Sequence, residues 1–234
     1  MRTLTRYRVK FSKDGPARFS SHLDMVRFFD RSTRRAGLPV AFSEGFNPHP
    51  KFSFAAPLPV GIAGMDEYMD MDLTTSLNPE EVASRLNTNL PEGYKILDVK
   101  QISDRAKNLM AILSRASYRA IAENPQGYDE VMLQAALAEL MALESITIIR
   151  EVKGKRKEVD LRPGIFRLSG GVMGHIIEIN MELLIGSTGN VRPEEVLNIL
   201  FQAGGIPVHP EDFQIRRTAL YTDGDTGLIS LWEV

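Results

Sequence analysis

Apolar and polar residues alternate strictly in Arg6-Tyr-Arg-Val-Lys-Phe11. Tyr7, Val9 and Phe11 fall on one face and Arg6, Arg8 and Lys10 on the other, the period-two pattern of a half-buried strand. Lys13-Asp-Gly-Pro16 is turn chemistry. The period then lengthens. Ser21 with Asp24 three residues on makes a capping box, and the spacing predicts a helix to about Ala36, stopped by Gly37 and Pro39. Extended segments at Pro39–Ser43 and Lys51–Phe54 flank the Pro- and Gly-rich stretch Glu44–Pro50. Glu67–Leu73 alternates again, and Asn78 caps a second helix with Pro79 at its first position and Glu80-Glu81 in its first turn. Tyr94–Ile102 closes the set as a strand. The order is β-α-β-β-α-β.

The second half repeats the first. Tyr118-Arg119 follows Tyr7-Arg8 by 111 residues, and Pro193-Glu-Glu follows Pro79-Glu-Glu by 114. Between these landmarks the pattern predicts a helix over about 128–143, a strand over Ser145–Val152, a basic Gly-rich segment running to Gly171, and a strand over His175–Ile185. The expected fold class is α+β, two tandem ferredoxin-like domains with antiparallel sheets. The first spans 1–104, a linker with a short connecting helix spans 105–115, and the second spans 116–234.

Composition narrows the possibilities. The 234 residues include no cysteine, which excludes disulfides, thiolate nucleophiles and cysteine-held clusters on this chain. His22, His49, His175 and His209 are too scattered for a local metal motif, so no cofactor is expected. No apolar run of membrane-spanning length occurs, and Met1–Lys10 lacks the apolar block of a signal peptide, so the expected location is the cytoplasm, away from membranes. The net charge of −2 hides an asymmetry: residues 1–60 hold eleven Lys/Arg against four Asp/Glu. That imbalance suggests a patch for an anionic partner, or basic and acidic segments that pair within the fold.

Two features concentrate the positive charge. On the first helix, Arg27, Arg31, Arg34 and Arg35 fall within an arc of about 100°, while Met25, Val26, Phe29 and Ala36 take the opposite side. An arginine stripe of this kind suits phosphates. The loop after it sets Phe46, Asn47, His49 and Lys51 close together, with prolines on both sides of His49. Aromatic, amide and cation side by side is what recognition of unpaired RNA bases requires. Lys155, Arg156 and Lys157, preceded by Lys153, are expected to form a second basic loop at the equivalent place in the repeat. The charges on the first strand are expected to be spent elsewhere, because Tyr68, Asp70 and Asp72 on the neighbouring third strand invite cross-strand Arg–Asp pairs. No phosphate-cradling loop, dinucleotide fingerprint, zinc-protease motif or serine elbow is present, so no catalytic residue is expected.

Three blocks, Lys10–Asp24, Ala36–Lys51 and Pro57-Leu-Pro-Val-Gly61, resemble the signature segments of the radical SAM-linked proteins, the DUF2344 domain family. The resemblance implies a bacterial protein encoded beside, or fused to, a cobalamin-type radical SAM protein, and therefore a partner that bears the iron–sulfur cluster. The expected function is that of a non-catalytic accessory protein binding RNA, such as tRNA or rRNA, or a nucleoprotein substrate for that partner. Two alternatives stand beside it: a pure interaction module docking on the radical SAM protein, and a metal-independent endoribonuclease.

Overall fold

The computed structural model describes residues 4–124, 128–152, 154–203 and 205–234; Lys153 lies outside them. The fold is α+β with mostly antiparallel sheet. The elements run β1 (Thr5–Lys13), α1 (His22–Arg35), β2 (Phe52–Phe54), β3 (Ala63–Leu73), α2 (Pro79–Asn89), β4 (Tyr94–Ile102) and α3 (Leu109–Ile112). They continue with β5 (Arg115–Glu123), α4 (Glu130–Ala142), β6 (Thr147–Val152), β7 (Lys155–Asp160), β8 (Ile165–Met173), β9 (Ile176–Leu184), α5 (Pro193–Gln202), β10 (Gln214–Gly224) and β11 (Gly227–Ser230).

The chain forms two compact units, one reaching to Leu113 and taking back Arg217–Val234, the other being Ser114–Arg216. In the first unit β1 lies between β4 and β3, and β2 pairs with the other side of β3. Tyr7, Val9, Phe11, Met69 and Met71 turn to one face and are buried under α1 and α2. Phe29 of α1 meets Phe11 and Phe54 edge-on at 5.0 and 5.7 Å. The Tyr7 hydroxyl donates to the Leu77 carbonyl and accepts from the Leu77 amide, tying β1 to the approach to α2.

The opposite face of this sheet is charged and self-paired. Arg6 stands across from Asp72 and Arg8 across from Asp70, with ion pairs of 2.8 and 2.9 Å, and Lys10 reaches Asp66 at 2.7 Å. The chain's last residues cover part of it. The buried Arg8 guanidinium donates to main-chain oxygens of Leu231 and Val234, Trp232 stacks on Tyr68 at 6.3 Å, and the Lys100 ammonium lies 4.8 Å from the Trp232 ring. Arg217 makes a fully buried pair with Glu67 at 2.6 Å. These bonds explain why Arg217–Val234 belongs to the first unit, where the sequence pattern assigned everything from 116 onward to the second.

In the second unit β9 lies between β5 and β8, with the start of β10 beside β5. Two elements differ from the sequence pattern. Ile165–Met173 is a strand rather than part of a basic loop, and Gly170 is what lets it pair so closely. A Cβ there would meet the Glu178 carbonyl at 2.5 Å and the Leu133 and Leu137 side chains at 3.3 Å. Lys155, Arg156 and Lys157 are likewise not a loop but strand β7, which pairs with β6 as a separate ribbon. Gly154, at φ 73°, supplies the left-handed residue that the tight connection needs.

Candidate nucleic-acid interface

The capping box opens α1 as its residues dictate: the Ser21 hydroxyl accepts from the Asp24 amide, and the Asp24 carboxylate accepts from the Ser21 amide. Met25 and Phe29 anchor one side in the core, which turns Arg27, Arg31, Arg34 and Arg35 outward, and all four are exposed. Their fates differ. Arg27 reaches Asp24 at 3.5 Å and Arg34 reaches Asp30 at 2.9 Å. Solvent screens exposed pairs of this sort, so a phosphate can replace the carboxylate at little cost. Arg35 donates to the Asn89 carbonyl at the last residue of α2, which gives it a structural task. Arg31 has no partner among the described residues.

The loop after α1 is closed at its base. Phe42 bridges to Pro50, the Ser43 amide donates to the His49 carbonyl at 2.8 Å, and the Ser43 hydroxyl accepts from the His49 amide at 3.0 Å. Phe46 and Asn47 beyond that clasp, and the His49 side chain at it, are exposed, and the Phe46 ring is bare to solvent on all sides. The Arg34 guanidinium joins the helix to the loop: it lies over the Phe42 ring, 5.1 Å from its centroid. Phe42 carries this contact although the spacing gave it no role, because it meets Arg34 only after the chain turns at Gly37, φ 62°.

Lys51 does not join this surface. It is exposed beside Arg6, Asp70, Asp72 and Asn108 in a hollow of about 340 Å³. That hollow opens on the charged face, the reverse of the face α1 packs on. Strand alternation explains the separation: Phe52 and Phe54 pack into the core, which sends Lys51 and Ser53 the other way. In the second unit, the β6–β7 ribbon sorts its charges by face. Lys157 lies opposite Arg150, which is itself paired with Glu195 at 2.5 Å, whereas Arg156 lies opposite Glu151.

Beneath α1 the first unit buries an ionic cluster that sequence reasoning missed. Lys13 donates to the Ser20 carbonyl at 2.7 Å near the Glu67–Arg217 pair. Burial pushes the Lys13 ammonium pKa down, Glu67 draws it back up, and Arg217 adds to the lowering. His22 sits edge-on to Phe54 at 5.4 Å, with its Nδ1 buried and unpaired among the described residues. Its charged form is disfavoured first by burial and then by Lys13. The Glu67–Arg217 pair at its centre joins residues 150 positions apart, so the cluster leaves no local signal.

Taken together, the fold and this surface define an α+β protein that presents an arginine- and aromatic-bearing face. The chain belongs to the DUF2344 family, described as an uncharacterized protein conserved in bacteria, whose profile matches residues 6–193. No curated protein matches it in sequence. Among solved structures, a chain of a Cbf5-Nop10-Gar1 complex is similar at 10% identity and a TM-score of 0.49, over 97% of this chain and 52% of that one. This chain therefore spans about half its length. An unknown protein from Galdieria sulphuraria shares 12% identity over 92% and 99% of the two chains, with a TM-score of 0.27. A putative glycine cleavage system transcriptional repressor shares 12% over 97% and 98%, with a TM-score of 0.23. Among the described residues no helix is long and apolar enough to cross a membrane, and no group of His, Asp and Glu is arranged to hold a metal ion.

Proposed function

We propose that this chain is a non-catalytic accessory protein that holds RNA, or a nucleoprotein, for a radical SAM partner carrying the iron–sulfur cluster. The contact of Arg34 with Phe42 carries this reading, because it makes the arginine face of α1 and the loop bearing Phe46, Asn47 and His49 one continuous surface. Arg27, Arg31 and Arg34 serve the phosphates, and Phe46 offers a ring on which an unpaired base stacks. Each unit is a ferredoxin-like βαββαβ scaffold in this reading, with the strand order β4-β1-β3-β2 of the first unit as its support. The absence of cysteine leaves the cluster to the partner.

Filter binding of cellular RNA to the full chain tests the proposal. Wild type retains RNA, and Arg31→Glu with Arg34→Glu loses most of it; undetectable binding, or binding indifferent to both substitutions, sinks the idea. A docking role on the partner protein is the second reading. Exposed Phe19 and Leu23, beside the start of α1, favour it. Co-purification with the partner that survives nuclease treatment, without any RNA retention, decides for it.

A further inference from the structure

We infer that α4 is the contact surface of a symmetric dimer, on which the same helix of a second copy of this chain packs antiparallel; this stands apart from the RNA reading. Leu133, Ala136, Leu137 and Leu140 are the buried side of α4. At 100° per residue, Val131, Ala135, Ala138 and Ala142 fall on the opposite side within an arc of about 60°, and all four are exposed. Met132 and Leu143 flank that line. Three large apolar side chains therefore stand open to solvent, Val131 at 76%, Met132 at 54% and Leu143 at 46%. No Lys or Arg occurs in the helix, and Glu139 is the ionised group beside the line. A helix apolar on every side belongs in an interior. The outer faces of α1 and α2 are charged instead, with Arg27 and Arg31 on the one and the Glu81–Arg85 pair on the other.

The spacing selects the occupant. Steps of four, three and four residues make the seam of a coiled coil, so the shape that fits is another helix. Alanine at three of the four places lets two backbones come close. Turned end for end about a two-fold axis between Ala136 and Leu137, the seam matches itself. Val131 meets Ala142 of the second copy, and Ala135 meets its Ala138, so the larger side chain falls against a small one at both ends. In that register Glu139 lies beside Met132 of the second copy rather than beside another acid. A polyanion, by contrast, finds no cation on the seam.

Charge fixes the orientation. Asp129 and Glu130 stand at the N-terminal end of α4. At its C-terminal end the Arg162 guanidinium donates to the Met141 and Leu143 carbonyls, with no carboxylate paired to its side chain among the described residues. The acids at that end are Glu144, past the helix, and Asp160, which accepts from the Ile146 and Arg162 amides. Packed antiparallel, Glu130 of each copy approaches Arg162 of the other. Packed parallel, the two acidic ends would meet, and so would the two positive ends of the helix dipoles. The 13-residue helix is about 20 Å long. One pair of such faces lies at the lower end of interface sizes, below about 1,200 Å² in all, so the dimer is a weak one.

Sedimentation velocity of the full chain over roughly 1–200 µM is expected to show monomer passing to dimer. Ala138→Arg sets two cations against each other at the centre of the seam and is expected to leave only monomer over that range, at the melting temperature of wild type. The absence of cysteine allows a second test. Val131→Cys and Ala142→Cys chains, mixed and oxidised, are expected to form an interchain disulfide. Val131→Cys alone is not, its two copies lying about 16 Å apart along the helix axis. Monomer at every concentration, which leaves α4 to a protein of another sequence, overturns the proposal. So does a dimer that survives Ala138→Arg, a disulfide in Val131→Cys alone, or none in the mixture.

Discussion

Phe46 and His22 show how differently two ring side chains in one unit are used. Phe46 touches nothing in the fold, so Phe46→Ala should leave the unfolding free energy unchanged within about 0.5 kcal/mol. The same substitution should weaken RNA binding by about 1–3 kcal/mol, the value of one stacked base. Parallel denaturation and anisotropy titrations check the two halves, and a loss of stability without a loss of binding would assign Phe46 to packing. His22 is the reverse case. Burial and Lys13 hold its pKa below the usual 6.5, so the folded chain takes up a proton less readily than the unfolded one. The stability this neutral ring supports is complete above pH 6.5 and is lost as pH falls from there toward the folded value. Urea midpoints at pH ~7.5 and pH ~5 should therefore fall further for wild type than for His22→Leu. Equal falls would mean that His22 titrates as a solvated group. The Ser21–Asp24 capping box beside it was legible from two residues, because capping is local. The setting of His22 was not, since it depends on Phe54 and Lys13 arriving from other elements.

At the scale of elements, α1 and β8 mark the limits of pattern reading. The arginine face of α1 followed from helical spacing alone, whereas the Arg–Asp pairing of β1 with β3 followed from strand alternation once the two strands were expected to be neighbours. Strand β8 escaped notice because Gly170 and Gly171 break its alternation, yet Gly170 is what allows it to lie against β9 and under α4. Gly170→Ala should drive a methyl into the Glu178 carbonyl and the Leu133 and Leu137 side chains. The expected cost is about 1–3 kcal/mol, the range of overpacking in a filled core, read as a lower denaturant midpoint with an unchanged m-value. A neutral result would mean that α4 is not packed on this strand. Strand β7, the partner of the strand expected over Ser145–Val152, was hidden for another reason. Both its faces are largely polar and exposed, so no apolar period announces Lys155–Asp160 as a strand.

Across the whole molecule, the ends of the chain were the least legible part. The return of Arg217–Val234 to the first unit rests on bonds spanning 132 to 226 residues. Sequence order cannot announce such contacts. Glu67→Gln leaves the Arg217 guanidinium buried with half its partner gone, and breaking a buried pair costs about 3–5 kcal/mol. Hydrogen exchange should then quicken in β1 and β3 while β8 and β9 keep their protection; uniform quickening would contradict the division into two units. The surface that this frame supports is an electrostatic one, and its signature is salt dependence. Binding of a defined single-stranded RNA, followed across salt concentrations, should give a straight fall of log K against log salt with a slope of roughly −0.7 per phosphate engaged. Arg31→Glu with Arg34→Glu should flatten that slope by about 1.4, the share of two phosphates. A salt-independent affinity, or a slope untouched by the two substitutions, would contradict the account of α1 as the phosphate-binding face.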